Sequence, residues 1–242
     1  MRAERVGVTE VLTAPAKLTV SLAVTGVRED GFHLIDAEMV SLELHDVLEI
    51  GDGDRVEVVR DGVVSAADDD DLVVRALALV GRRAAVRLHK HIPAGAGLGG
   101  GSSDAAAILR WAGSSDVEQA VGLGADVGFC LAGGRARVRG IGELLEPLPH
   151  VDRTFTLWTP PLHCSTPTVY RCWDDLGGPR GDHGNDLEPA AIAAYPQLAR
   201  FRDEFAERTG VRPRLAGSGS TWFVEGAFDG PGHVVTRTIP RS

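Results

Sequence analysis

Apolar and polar side chains alternate along residues 38–50 (EMVSLELHDVLEI), and that period of two predicts a half-buried strand. Residues 9–25, rich in Val, Leu and Thr, read as one or two further extended segments. Strands are also expected at 55–60, 84–92, 135–140 and 154–159, with two short ones near 211–216 and 221–225 joined by AGSGS. Between them the texture turns helical. The acids Asp68–Asp71 precede the apolar run LVVRALALV; acids there satisfy free amides and suit the helix dipole. An alanine-rich helix follows residue 101, and residues 166–176 and 186–208 read as two more, the longer stopped by Gly210. LEPLPHVD interrupts the pattern near 147–153, which suggests a boundary there. The expected architecture is α+β in two lobes, residues 1–150 and 151–242.

The most informative segment lies mid-chain. In PAGAGLGGGSS, Gly95, Gly97, Gly99, Gly100 and Gly101 occupy alternate or successive positions, and Ser102, Ser103 and Asp104 then open a helix. Glycines let backbone approach a ligand closely. The first amides of a helix lack internal partners, and its dipole favours negative charge. Together these make an anion site, and phosphate is the usual anion. The Walker pattern would need a lysine after the loop, and none is present. GxGxxG matches formally at Gly95, Gly97 and Gly100, but Pro93 separates the preceding strand from the loop and the segment is not in a first βαβ unit.

Charge narrows the field. The net charge of −9 argues against sequence-independent binding to nucleic acid or an anionic membrane surface. No run of 18 apolar residues suggests a membrane span, and MRAERVGVTEVL lacks the apolar core of a leader. Cys130, Cys164 and Cys172 form an odd count without metal-like spacing, so a reducing cytoplasmic setting is expected. His89 and His91 alternate on a strand without acidic or thiol partners at ligand spacing, and no protein metal site is expected. His163 and Cys164 are adjacent, hence on opposite strand faces, which removes them as a nucleophile pair.

Four segments occur in order: APAKLTVSLAVTG with REDGFH (14–33), the glycine-rich loop, LGADVGFCLAGG (123–134) and AGSGSTWF (216–223). NDLEP (185–189) accompanies them. Over nearly the whole chain this set resembles the GHMP family of small-molecule kinases. The resemblance implies an N-terminal lobe similar to ribosomal protein S5 domain 2 and a ferredoxin-like C-terminal lobe, with ATP and substrate meeting between them. The implied reaction moves the γ-phosphate of ATP to the 2-hydroxyl of a cytidine-bearing erythritol unit, a step toward isoprenoid precursors outside the mevalonate route. A kinase for another small alcohol, or a non-catalytic nucleotide-binding relative, stays open.

The resemblance also distributes roles. Asp126 matches the catalytic aspartate that takes the alcohol proton; read alone, it is a helix or turn cap. Lys17 matches the lysine that orients it and steadies the transferring phosphoryl group. Pro93, Ala94, Gly95, Ala96, Gly97, Leu98, Gly99, Gly100, Gly101, Ser102 and Ser103 are expected to hold the ATP phosphates, one of the two serines also contacting Mg²⁺. His33 matches a histidine that reads the cytosine ring, Phe32 and Tyr170 match stacking positions, and Gly217 and Ser218 sit in a loop lining the substrate side. Small-molecule substrate and ATP are therefore the expected partners. Three positions depart from the family pattern: Thr19 and Asp71 replace asparagines, and Gly128 replaces a proline, which is expected to loosen the turn around Asp126. The stretch from Gly113 to Leu123 is also short.

Overall fold

The computed structural model describes residues 8–241. Residues 1–7 and 242 lie outside the described residues, and with them most of the N-terminal stretch read above for a leader. In chain order the elements are β1 (Val8–Val27), β2 (His33–Gly51), β3 (Val56–Arg60), β4 (Val63–Ala66), α1 (Leu72–Leu79), β5 (Ala85–His89), α2 (Gly100–Trp111), α3 (Val117–Leu123), α4 (Ala125–Ala132), β6 (Arg135–Gly140), β7 (Leu144–Pro147), β8 (Thr154–Trp158), α5 (Thr166–Asp175), α6 (Glu188–Ala194), α7 (Gln197–Thr209), β9 (Arg214–Leu215), β10 (Trp222–Glu225) and β11 (His233–Arg237).

These form two compact units, each assembled from separate stretches of chain. The first contains residues up to Ala16, Leu44–Ile92 and Gly99–Ala132; the second contains Lys17–Glu43, Pro93–Leu98 and everything from Gly133 onward.

In the first unit the later half of β2 pairs antiparallel with β5, from Val47 opposite His89 to Gly51 opposite Ala85. β5 runs parallel to β3, which pairs antiparallel with β4. Helix α2 packs against both α1 and α4, and α4 against α3. Ala105, Ala106, Ala107, Ile108 and Leu109 are all buried, because three alanines in succession let neighbouring helices close on every side. Asp71 caps α1, its Oδ1 accepting from Val73 N at 2.8 Å.

In the second unit the earlier half of β2 pairs antiparallel with β6, from Ile35 opposite Gly140 to Val40 opposite Arg135, and β6 pairs with β7. A separate antiparallel sheet has the order β11-β8-β10-β9. Its apolar face is aromatic: Phe155 meets Phe223 edge to face at 5.8 Å, and Trp158 lies 5.6 Å from Phe205 of α7. Along β1, Leu18, Val20, Leu22 and Val24 are buried at alternate positions, as period two requires.

Two local expectations change. Residues 186–208 are not one helix: α6 ends at Ala194 and α7 starts at Gln197, with Pro196 between them. Proline disfavours helical geometry in the residue before it, and Tyr195 leaves the helix at φ −134°, ψ 79°. Gly128 does not loosen a turn; it lies inside α4, where a Cβ would come 2.7 Å from Val121 Cγ2 and 3.2 Å from Val117 Cγ1. It permits α3 and α4 to touch. Helices α3 and α4 themselves, and the short strands β4, β7 and β11, were not legible in the pattern. α4 (ADVGFCLA) shows no amphipathic period because five of its eight residues are buried. The Gly113–Leu123 stretch holds the seven residues of α3, capped by Asp116.

Candidate active site

Period two on β1 decides where Lys17 points. With Leu18 and Val20 in the core, Lys17 and Thr19 share the opposite face. Both are buried, at 5% and 2% exposure, and Lys17 Nζ donates to Thr19 Oγ1 at 3.1 Å. Within the same unit the chain brings two distant loops to this face. Lys17 N donates to Leu98 O at 3.0 Å, and Thr221 N to Ala96 O at 3.2 Å. Gly97 (φ +79°) has no room for a side chain, since a Cβ would run into Ala216 O and lie 2.9 Å from Gly219 Cα. The Cβ position of Gly217 lies 3.6 Å from Thr19 Oγ1 and 3.9 Å from Lys17 Nζ. Lys17, Thr19, Ala96–Leu98 and Gly217–Gly219 thus form one cluster. Ser218 is exposed enough for its hydroxyl to meet Thr166 Oγ1 at 2.8 Å. Pro93 and Ala94 are exposed, and Gly95 lies against the His163 ring.

The rest of the glycine-rich segment belongs to the first unit. Gly99, at φ +67°, is the N-cap of α2, and Gly100–Ser103 are its first turn. The N-terminal amides of α2 therefore begin inside the glycine run, the geometry an anion needs. The Ser103 hydroxyl is buried and donates to Pro15 O, whereas Ser102 is only partly buried. Behind the loop, Lys90 Nζ lies between Asp46 Oδ2 and Asp104 Oδ2, the latter at 2.5 Å. Burial pushes the Asp104 carboxyl up to about 7 despite the opposing pull of Lys90, with Asp46 and Asp71 adding to the rise. Asp126 stands in the first turn of α4 and is partly exposed. Among the described residues, no three His, Cys, Asp or Glu side chains gather into a metal-holding group. None of the described helices is long and apolar enough to cross a membrane.

His33 opens β2 in the second unit. Its Nε2 bonds Asp174 Oδ1 at 2.8 Å, its ring stacks at a tilt on Tyr170 at 4.6 Å, and Trp173 meets it edge-on at 5.5 Å. Phe32 is 57% exposed, with Arg28 over its ring at 5.9 Å.

Residues 71–134 match the family model described as the GHMP kinase N-terminal domain. A 4-diphosphocytidyl-2-C-methyl-D-erythritol kinase of Ruegeria pomeroyi is 37% identical over 252 residues, covering 91% of this chain and 89% of that protein. The chain belongs to the 4-diphosphocytidyl-2-C-methyl-D-erythritol kinase family. A family member from Paracoccus denitrificans is 38% identical over 232 residues, 87% of this chain and 84% of that one. A crystal structure of 4-(cytidine 5'-diphospho)-2C-methyl-D-erythritol kinase superposes with a TM-score of 0.73 at 29% identity, covering 95% of this chain and 99% of that one. The α+β GHMP kinase fold expected from the motifs is the fold of this family member.

Three contributors were not singled out from the sequence. Asn185 Nδ2 donates to Leu215 O at 2.9 Å and Gly217 O at 2.8 Å, fixing the glycine turn beside Lys17. Its Oδ1 accepts from Leu187 N at 2.9 Å. The NDLEP motif was the available signal, since a buried amide using donor and acceptor alike serves backbone segments well. Asp46 and Lys90 had none, because their partner lies far along the chain.

Proposed function

We propose that the protein transfers the γ-phosphoryl group of ATP to the 2-hydroxyl of 4-diphosphocytidyl-2-C-methyl-D-erythritol, in the cytoplasm, on the non-mevalonate route to isoprenoid precursors. The observation that carries this reading is the buried Lys17 ammonium, held on Thr19 beside the Gly217 turn and the Leu98 end of the phosphate loop. Burying an ammonium is costly unless polar groups compensate it, and the ones around Lys17 belong to the segments expected to hold phosphate and substrate.

Phosphoryl transfer needs positioning and charge stabilisation more than covalent chemistry. In this reading the amides of Gly95–Ser103 hold the ATP phosphates at the start of α2. The alcohol oxygen attacks the γ-phosphorus, its proton passes to the Asp126 carboxylate, and the bond to the β,γ-bridging oxygen breaks to release ADP. Lys17 offsets charge on the transferring group. His33, Tyr170 and Phe32 take the cytosine end, and Gly217 and Ser218 line the alcohol.

Mg²⁺ fits the residues present. Ser102 and Ser103 both stand in the first turn of α2, and the hydroxyl oxygen of either would accompany the phosphate oxygens and waters that usually complete this ion's shell. When bound, the ion neutralises phosphate charge.

Coupled ADP release with Mg-ATP and the diphosphocytidyl alcohol tests the reaction. Turnover is expected in the wild type, with kcat reduced roughly 10²- to 10⁴-fold in Asp126→Asn. ATP binding by calorimetry without turnover would transfer the reading to a different alcohol.

A further inference from the structure

Directly behind the loop lies a buried ionic cluster that the reaction does not use. Lys90, Asp46 and Asp104 have side chains 7%, 0% and 2% exposed. They come from three places in the first unit: β2, the residue following β5, and the second turn of α2. Asp46 is fully employed, its Oδ1 accepting from His91 N at 2.5 Å and Ile92 N at 2.8 Å while Oδ2 holds Lys90. Asp104 is not: one oxygen holds Lys90 and Oδ1 is buried without a partner. The Cβ position of Gly100, at the start of α2, is 3.2 Å from Lys90 Nζ. The ammonium therefore sits against the turn where loop becomes helix.

Two carboxylates against one ammonium is more negative charge than the fold needs. Removing Asp104 would still leave Lys90 a balanced partner in Asp46, whereas removing Lys90 would press two carboxylates together. A half-satisfied buried carboxylate is a poor stabiliser, and buried ion pairs as a class are weak evidence for stability. Its bond to Lys90, which lies against the Gly100 turn, offers another use. We infer that Asp104 is a positioning residue for nucleotide binding: through Lys90 and Asp46 it ties the first turns of α2 to the sheet, holding the loop amides where phosphate meets them. This rests on the reading of residues 93–103 as the phosphate loop.

The test is ATP affinity by calorimetry, beside stability and kinetics, for wild type, Asp104→Ala and Asp104→Asn. Alanine removes the tie; asparagine keeps an oxygen for Lys90. Asp104→Ala is expected to weaken ATP binding roughly tenfold, the effect of losing one charge-assisted hydrogen bond. The KM for the alcohol should not change, and the unfolding midpoint should not fall. Asp104→Asn should restore ATP affinity to within about twofold of wild type, since it retains that acceptor. Equal ATP affinity in wild type and alanine variant would overturn the inference. So would an alanine variant that fails to fold, or a parallel loss for ATP and alcohol, because each marks a purely structural role. A wild type that binds no ATP would instead overturn the loop reading itself.

Discussion

An ammonium at 5% exposure on a strand, opposite a row of core side chains, is where sequence and chemistry meet most directly in this protein. Lys17 was conspicuous as the one cation in an apolar run, and period two alone puts it on a common face with Thr19. Replacing it by methionine keeps length and bulk while removing a costly buried charge. Lys17→Met is therefore expected to lower kcat roughly 10²- to 10³-fold and to lower the denaturant midpoint, because the buried Thr19 Oγ1 loses its donor. Steady-state kinetics paired with urea unfolding checks both halves. Thr19 supplies a hydroxyl acceptor in place of the family's usual amide, so Thr19→Val should raise the cost of the Lys17 charge, and Thr19→Asn should not.

Elements here are held by close approaches as much as by periodicity. Gly97 meets the 216–219 turn where a Cβ cannot fit, at a backbone angle that other residues rarely adopt. Gly97→Ala should cost about 1–3 kcal/mol from strain and overpacking. It should raise the KM for ATP together with that loss, measured by urea titration and ADP release. Gly128 tests the same idea inside a helix, with opposing terms. Alanine would gain up to about 1 kcal/mol in helix propensity. It would lose about 1–3 kcal/mol against Val121 and Val117, whose branched side chains rotate poorly. The net expectation for Gly128→Ala is a modest destabilisation, read as a lower midpoint in thermal or urea unfolding. The α6–α7 break follows from Pro196 and was missed because the apolar period continues across it.

At the scale of the whole molecule, buried charge makes stability depend on pH. Asp104 is raised from 3.8 to about 7, chiefly by burial. An acid whose folded value exceeds its unfolded one binds the proton more tightly when folded. Its contribution to stability is thus fully present below about 4, declines as pH rises to about 7, and is flat beyond. Urea unfolding of wild type and Asp104→Asn across that window should show the wild type losing stability relative to the variant, with the difference levelling above neutrality.

The sequence by itself determined the local elements and their chemistry. Alternation identified most of the long strands, caps and glycines marked the ends of several helices, and the glycine run before an alanine helix announced an anion site. Those signals are short-range, because they come from backbone geometry and the two periodicities of side-chain direction. Only the tertiary structure decided which segments meet. Lys90 reaches Asp46 across 44 positions and Asp104 across 14, and the loop at Ala96–Gly97 finds the turn at Ala216–Gly219 more than a hundred residues later. Such pairings follow from burying apolar faces on both sides of each strand and helix at once. No single window of sequence contains that condition, so the cluster behind the loop could not be read until the chain was folded.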